Sequence, residues 1–181
     1  MAIKTMSVPS GSGQYTTGWH ELTISKATSN VLDKGVNGTK KYIELNFEGY
    51  NEHMRLRVYE TFNKKNNEEF KVASLFRYAN AGIMEVLKDP TGKFPLIQYD
   101  DDTKNLIGKK INAYFYREQK TGNEWLNVFD DIAPVVQEGE HLSYTQDQVN
   151  GIKESVKKNL DRMLSYSNNS TKTVESADIP F

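Results

Sequence analysis

The stretch from His53 to Phe62, HMRLRVYETF, alternates apolar and polar residues more regularly than any other part of the chain. Successive side chains of a strand point to opposite faces, so residues of one parity share a face. The apolar face holds Met54, Leu56 and Val58, and the polar face holds Arg55, Arg57 and Tyr59. We therefore predict a half-buried strand that exposes two guanidinium groups and a phenol on one strip of sheet.

Two earlier stretches have the same period. Residues Gly18 to Lys26 and Lys41 to Glu48 alternate in the same way, with Trp19 on the polar face of the first and Tyr42 on that of the second. The loop between them contains turn-forming residues, Asp33-Lys34-Gly35 and Asn37-Gly38-Thr39-Lys40. Three strands linked in this way predict an antiparallel meander.

After the meander the period changes to that of a helix. From Glu68 to Lys88, apolar residues recur at spacings of three and four, and Asp89-Pro90-Thr91-Gly92 supplies an end signal. Two further strands are predicted at Leu106 to Arg117 and at Trp125 to Ile132, joined by a turn at Lys120-Thr121-Gly122-Asn123. The pattern does not decide which face of the last strand is buried.

Three antiparallel strands, a helix and two more strands follow one another in the order of the OB-fold, a small closed or nearly closed barrel. The predicted fold class is therefore mainly β with two helices: an OB-fold-like antiparallel β-barrel (β-β-β-α-β-β), then a C-terminal helix and a disordered tail. The predicted boundaries are a flexible segment at 1–14, the barrel at 15–135, a linker and amphipathic helix at 136–164, and the tail at 165–181.

The predicted C-terminal helix carries one apolar stripe. It begins after Thr145, a predicted N-cap, and reaches about Leu164. The stripe consists of Val149, Ile152, Val156, Leu160 and Met163. It either covers the barrel or pairs with a second subunit of a homo-oligomer, and the sequence leaves both arrangements open.

A polar tether and an apolar tip follow this helix. Ser165 to Thr173 has too few apolar residues to offset the entropy of ordering it, so we expect a disordered segment. The last four residues, Asp178, Ile179, Pro180 and Phe181, resemble the tip of bacterial and phage single-stranded-DNA-binding proteins. The resemblance implies that the tip docks replication, recombination and repair enzymes and that a separate OB-fold holds the DNA. The long second helix and the compact size resemble phage members of this family more than bacterial ones.

The OB-fold places an oligonucleotide site on its second and third strands and on two loops. Aromatic rings stack on bases at about 1–3 kcal/mol per base, and Arg and Lys attract phosphates. The predicted site comprises Arg55, Arg57, Tyr59 and Tyr42 on the sheet, Lys40 and Lys41 in the first loop, Arg117 and Lys120 in the second, and Trp19, Tyr114 and Tyr116 if they face the same groove. An ordinary solvent-facing sheet has the same alternation, and Glu44 or Glu48 could pair with the arginines.

The composition of the chain excludes several other classes of function. The chain has no cysteine, which excludes disulfides, thiolate metal sites and a cysteine nucleophile. It has no apolar run of membrane-spanning length and no export signal, so we expect a cytoplasmic protein that does not contact membranes. The formal net charge of -1 gives no overall basic field, so DNA binding requires a local basic groove.

The sequence contains no recognisable catalytic or metal constellation. Its histidines are scattered, it has no Walker-type loop, and Asp100-Asp101-Asp102 is the one candidate for the cation site of a nuclease. Adjacent loop carboxylates are more typical of a solvated turn. We therefore predict a protein that is not an enzyme and has no cofactor. The alternatives are a protein-interaction or assembly module on the same barrel, and a phage strand-annealing protein.

Overall fold

The computed structural model describes residues 15–35, 38–65, 67–87, 96–120 and 122–172. Seven strands and two α-helices lie in these ranges. They are β1 (Gly18–Asp33), β2 (Thr39–Phe47), β3 (Arg55–Tyr59), α1 (Lys71–Ala79), β4 (Ile83–Leu87), β5 (Leu96–Tyr99), β6 (Lys110–Lys120), β7 (Asn123–Ala133) and α2 (Gln146–Lys172), with a short 3₁₀ helix at Thr103–Leu106 before β6.

The main sheet has five antiparallel strands in the order β3-β2-β1-β6-β7, and β4 and β5 form a separate hairpin. This order is the one an OB-fold needs, with β6 and β7 as its fourth and fifth strands, and it confirms the predicted fold class. In the described part of the chain the edge strands β3 and β7 approach each other without forming a ladder, so the barrel is not closed.

Strand β1 belongs to two ladders. Its first half pairs with β6 from Gly18 to Thr23, and its second half pairs with β2 from Ile24 to Asp33, with an irregularity in register between Ile24 and Lys26. Such an irregularity bends a strand and increases its twist. One long strand can therefore turn the corner between the two halves of the barrel.

The predicted alternation places the core correctly. Leu56 and Val58 of β3 are each 1% exposed, and Ile43, Leu45 and Phe47 of β2 join them in the main core. Phe76 of α1 is fully buried in the same core. The other parity of β2 and β3 forms the outer face of the sheet.

Helix α1 is much shorter than the predicted Glu68–Lys88. It ends at Ala79 because Asn80 adopts a left-handed conformation, with φ 50°, and its amide donates to the carbonyls of Arg77 and Phe76. The second half of the predicted helix forms β4 instead. Ile83 and Val86 continue the helical spacing only by coincidence, because in the structure they belong to β4 and pair with residues of β5.

Two other elements are longer than predicted. Strand β1 continues past Lys26 to Asp33, through part of the predicted loop. Helix α2 continues past Leu164 to Lys172, so most of the stretch predicted to be a disordered tether is helical. The predicted flexible segment 1–14 and the tip from Asp178 to Phe181 lie outside the described residues.

Helix α2 packs on the barrel, which is the first of the two arrangements that the sequence left open. Val156 and Leu160 form a second, smaller core with Phe129 of β7, and Ile152 and Leu164 pack against it. Met163 was predicted in this stripe but is 42% exposed. On β7, Leu126 and Val128 face the main core while Phe129 faces α2.

Candidate nucleic-acid interface

Six side chains form a continuous strip on the outer face of β2 and β3: Lys40, Tyr42, Glu44, Arg55, Arg57 and Tyr59, called here the outer-face strip. The antiparallel register brings them together, because Tyr42 lies opposite Tyr59 and Glu44 lies opposite Arg57. Directly opposed residues on one face are close enough to touch. The local cause is the alternating sequence itself, which turns every apolar partner inward.

The two tyrosines of the strip form an aromatic pair. The ring centroids of Tyr42 and Tyr59 are 5.1 Å apart, with 38° between the ring planes. Lys40 Nζ lies 5.0 Å from the Tyr59 centroid, and Arg57 Cζ lies 5.4 Å from the Tyr42 centroid. Each ring therefore has a cation over or beside it, and cations and rings alternate along the strip.

Glu44 binds the two arginines. Arg57 Nε donates a hydrogen bond of 2.8 Å to Glu44 Oε2, and Arg55 Nε lies 3.7 Å from the same oxygen. The hydrogen bond to Glu44 raises the pKa of Arg57 above its already high value, so the guanidinium is charged at every relevant pH. The side chains of Arg55 and Arg57 remain 45% and 38% exposed, against 22% for Glu44.

The strip can therefore contact both parts of an unpaired polynucleotide. Three cations and one carboxylate leave it with a net positive charge, although the whole chain is slightly acidic. Tyrosine faces can stack on bases of any identity, and exposed guanidinium groups can donate to phosphates. The interaction of Glu44 with the arginines, which the sequence left open as an alternative, holds them in place and partly neutralises the positive charge of the strip.

The structure separates Lys41 from Lys40. Lys40 has the parity of Tyr42 and lies on the outer face, whereas Lys41 has the parity of Ile43 and is exposed on the other side of β2. Both belong to the part of the β1–β2 hairpin that extends beyond the ladder of β2 with β3. This hairpin also exposes Val31 and Leu32, at 61% and 40%, which the sequence analysis did not select.

Three predicted aromatic residues do not join the strip. Trp19, Tyr114 and Tyr116 lie on the outer face of β1 and β6, where they pack against the second core under α2. Trp19 and Tyr114 meet edge to face, with centroids 5.3 Å apart, and Lys153 Nζ of α2 lies 5.3 Å from the Trp19 centroid. Burial in this position lowers the pKa of Lys153. These rings hold the helix on the barrel and are not available as one surface with Tyr42 and Tyr59.

The second predicted loop is the hairpin of β6 and β7. Arg117 forms an ion pair of 2.6 Å with Glu124 across this hairpin, and Lys120 ends β6 opposite Asn123. Trp125 lies on the same hairpin and is 57% exposed. The sequence pattern gave no signal for this exposure, because Trp125 shares its parity with both Asn127 and the buried Phe129.

The acidic run has a structural role in its turn. Asp102 accepts from the amide of Lys104 and so caps the 3₁₀ helix, while Asp100 accepts from the amide of Asp102 and from Asn105 Nδ2. The backbone hydrogen bond from Asp102 lowers the pKa of Asp100. Among the residues that the structure describes, no three His, Asp or Glu side chains are grouped to hold a metal ion. No described helix has both the length and the apolar character needed to cross a membrane.

No protein-family model matches the chain, and no curated protein matches it either. The fold and the outer-face strip are therefore the observations from which a function has to be argued.

Proposed function

We propose that this protein binds single-stranded DNA without catalysing a reaction on it, and that it coats exposed strands largely independently of their sequence. The observation that supports the proposal most directly is the outer-face strip, in which two tyrosine rings alternate with three cations on exposed sheet. This combination supplies both interactions that unpaired DNA offers, since rings stack on bases and cations attract phosphates.

The position of the strip in the fold supports the same proposal. It lies on the second and third strands of an OB-fold-like sheet, the face on which such barrels bind oligonucleotides. Hairpins extend beyond their neighbours at β1–β2 and at β6–β7, and these are the two loops that contribute in such barrels. The fold by itself is compatible with many functions, so the argument depends on the chemistry of the strip.

Partner recruitment is the second part of the proposal. The four residues from Asp178 to Phe181 resemble the docking tip of single-stranded-DNA-binding proteins, which suggests roles in replication, recombination and repair and an origin in a phage. In such a protein the tip would engage an enzyme while the barrel holds the strand. This part rests on the resemblance alone.

A fluorescence-anisotropy titration tests DNA binding. We expect the full chain to bind a labelled oligothymidine and to bind a matched duplex far more weakly. Raising salt from about 50 to about 200 mM should weaken binding to the single strand, because each neutralised phosphate releases counterions. Indifference to both DNAs would contradict the proposal and favour a protein-interaction module. Rapid annealing of complementary strands would instead indicate a strand-annealing protein.

A variant of the strip locates the site. R55Q/R57Q/Y59L should reduce affinity for oligothymidine at least tenfold, since it removes two phosphate contacts and one stacking ring. The charge-matched control R162Q/K104Q, on α2 and the 3₁₀ helix, should change affinity little. Equal affinities for the two variants would move the site away from β2 and β3.

A further inference from the structure

A groove of about 590 Å³ lies between α1, β5 and α2. It is called here the Arg77 groove. Its lining is mainly apolar and aromatic, with Ile97, Leu142, Tyr144 and Ile152 around the side chain of Arg77. No residue of the outer-face strip lines it, so its ligand does not compete directly with DNA on β2 and β3.

Arg77 is incompletely satisfied in this groove. Its guanidinium lies 4.8 Å from the Tyr78 ring centroid, and Nη2 donates a 3.0 Å hydrogen bond to the Tyr78 hydroxyl. Its Nε is buried and has no hydrogen-bond acceptor, and no described carboxylate forms an ion pair with Arg77. A buried donor without a partner destabilises a fold. The position at the C-terminal turn of α1 favours a cation but leaves Nε without an acceptor.

The groove places a cation with an unsatisfied Nε beside apolar side chains, a combination that complements an anionic group next to apolar ones. We propose that the Arg77 groove binds the segment Asp178–Phe181 of a second copy of this chain. The carboxylate of Asp178 would accept from Arg77, and Ile179 and Phe181 would pack against the apolar lining. Charge-assisted bonds between guanidinium and carboxylate are among the stronger hydrogen bonds in proteins.

Chain length favours a segment from a second copy. The α2 residues that line the groove run from Gln148 to Ser155, and α2 continues to Lys172. At 1.5 Å per residue, Lys172 lies about 26 Å beyond Ser155 along the helix. The six residues from Lys172 to Asp178 span at most about 22 Å when fully extended. A fully extended linker therefore stops about 4 Å short of the level of Ser155 along α2, which favours a segment from a second copy over one from the same chain.

An antiparallel pair of α2 helices satisfies this geometry. The groove lies beside the first third of α2, and the segment follows the last turn, so antiparallel helices bring each segment to the partner copy's groove. A two-fold arrangement uses both grooves at once. Two linked contacts bind much more tightly than one, which compensates for the small area that a four-residue segment buries.

Sedimentation velocity of the full chain without DNA tests the inference. We expect a monomer at low concentration and a dimer as concentration rises. The variants R77E and D178K should each weaken dimerisation at least tenfold, because each places like charges at the contact. An equal mixture of R77E and D178K should form a heterodimer, since each groove then faces a segment of opposite charge. K64E, a charge reversal outside the groove, should dimerise normally.

The test does not depend on how well R77E folds. D178K and F181A change only the segment, and each should weaken dimerisation by itself. A chain that stays monomeric at all concentrations, or dimers unaffected by D178K and F181A, would overturn the proposal. A folded R77E that fails to pair with D178K would overturn it as well. The oligothymidine titration is a separate measurement, so failure of DNA binding and failure of dimerisation are distinguishable.

Discussion

Glu44 determines how much positive charge the outer-face strip presents. Its carboxylate lies 2.8 Å from Arg57 Nε and 3.7 Å from Arg55 Nε, so one anion is shared by two cations. The arginines must turn from this carboxylate to phosphates if DNA binds. In the proposed function, the residue that orders the strip would therefore also oppose DNA binding.

Neutralising this carboxylate should increase affinity. E44Q keeps a hydrogen-bond acceptor for Arg57 but removes the negative charge, so we expect oligothymidine to bind about three- to tenfold more tightly at low salt. Anisotropy titration measures the change. E85Q, on exposed β4, alters net charge equally and should leave affinity nearly unchanged. If E44Q binds no more tightly than E85Q, the arginines do not contact phosphate.

At this scale the sequence predicts faces well and neighbours poorly. Parity was enough to place Arg55, Arg57 and Tyr59 together, because a strand has only two faces. It could not distinguish Trp19, on the polar parity of its strand, from Trp125, on a strand whose pattern left the buried face undecided. Helix α2 covers the first and leaves the second exposed, and that difference depends on a contact between distant parts of the chain.

The end of α1 shows how a short turn can override a long pattern. Asn80 and Gly82 both have positive φ, at 50° and 62°, so the chain reverses and enters β4. Asparagine and glycine tolerate this conformation better than other residues do. A Cβ at Gly82 would collide with the carbonyl oxygen of Asp100 and approach Asn105 Nδ2 to 2.9 Å.

Substitution of this glycine tests the turn. We expect G82A to destabilise the protein by about 2–4 kcal/mol, from backbone strain and collision with Asp100 together. Urea unfolding followed by far-UV circular dichroism measures the loss. G151A is the matched control, since a Cβ there meets nothing within 4 Å and the position is helical. It should stabilise by about 0.5–1 kcal/mol. Equal changes in the free energy of unfolding for G82A and G151A would contradict the turn described at Gly82.

Element types were predicted better than element ends. The meander, the last two strands and α2 follow from hydrophobic period, which is a property of each segment by itself. The boundary at Ala79 and the hairpin of β4 and β5 depend on a three-residue turn inside an apparently helical repeat. The signal was present as Asn80-Ala81-Gly82, but the period concealed it.

The molecule as a whole has a seam where β3 and β7 approach without pairing. Helices α1 and α2 cover this seam, and side chains of both line a pocket of about 280 Å³ beside it. Lys71 of α1 crosses the pocket to β7, where Nζ lies 2.6 Å from Asp130 Oδ2 and 3.0 Å from Asp131 Oδ1. Burial lowers the pKa of Lys71, but these two carboxylates more than offset that effect and raise it.

This contact makes a pH-dependent contribution to stability. The pKa of Lys71 is higher in the folded than in the unfolded protein. The stabilisation is therefore complete below about pH 10.4 and is lost as the pH rises through the pKa of the folded state. At pH 7 we expect K71M to lower the free energy of unfolding by roughly 1–3 kcal/mol. Urea titrations of both proteins at neutral and strongly alkaline pH should converge at the alkaline end. If the free energies of unfolding of the two proteins differ by the same amount at both pH values, K71M has removed only packing.

The overall topology was predictable because the order of elements restricts it. A meander, a helix and two more strands leave few antiparallel arrangements, and the observed order β3-β2-β1-β6-β7 is one of them. The surface against which α2 packs was not predictable. Its apolar stripe fits a barrel or a second subunit equally well, and only the complementary shape around Phe129 decides between them.

The double membership of β1 has a consequence for how the barrel comes apart. Its first half pairs with β6 and its second half with β2, so the same sixteen-residue strand is the common neighbour of both halves of the sheet. Detaching either half breaks one of the two ladders of β1 and divides the sheet. Local opening should therefore be confined to the hairpin tips, and the amides of Leu22 and Ile24 should exchange with solvent only when the entire domain unfolds.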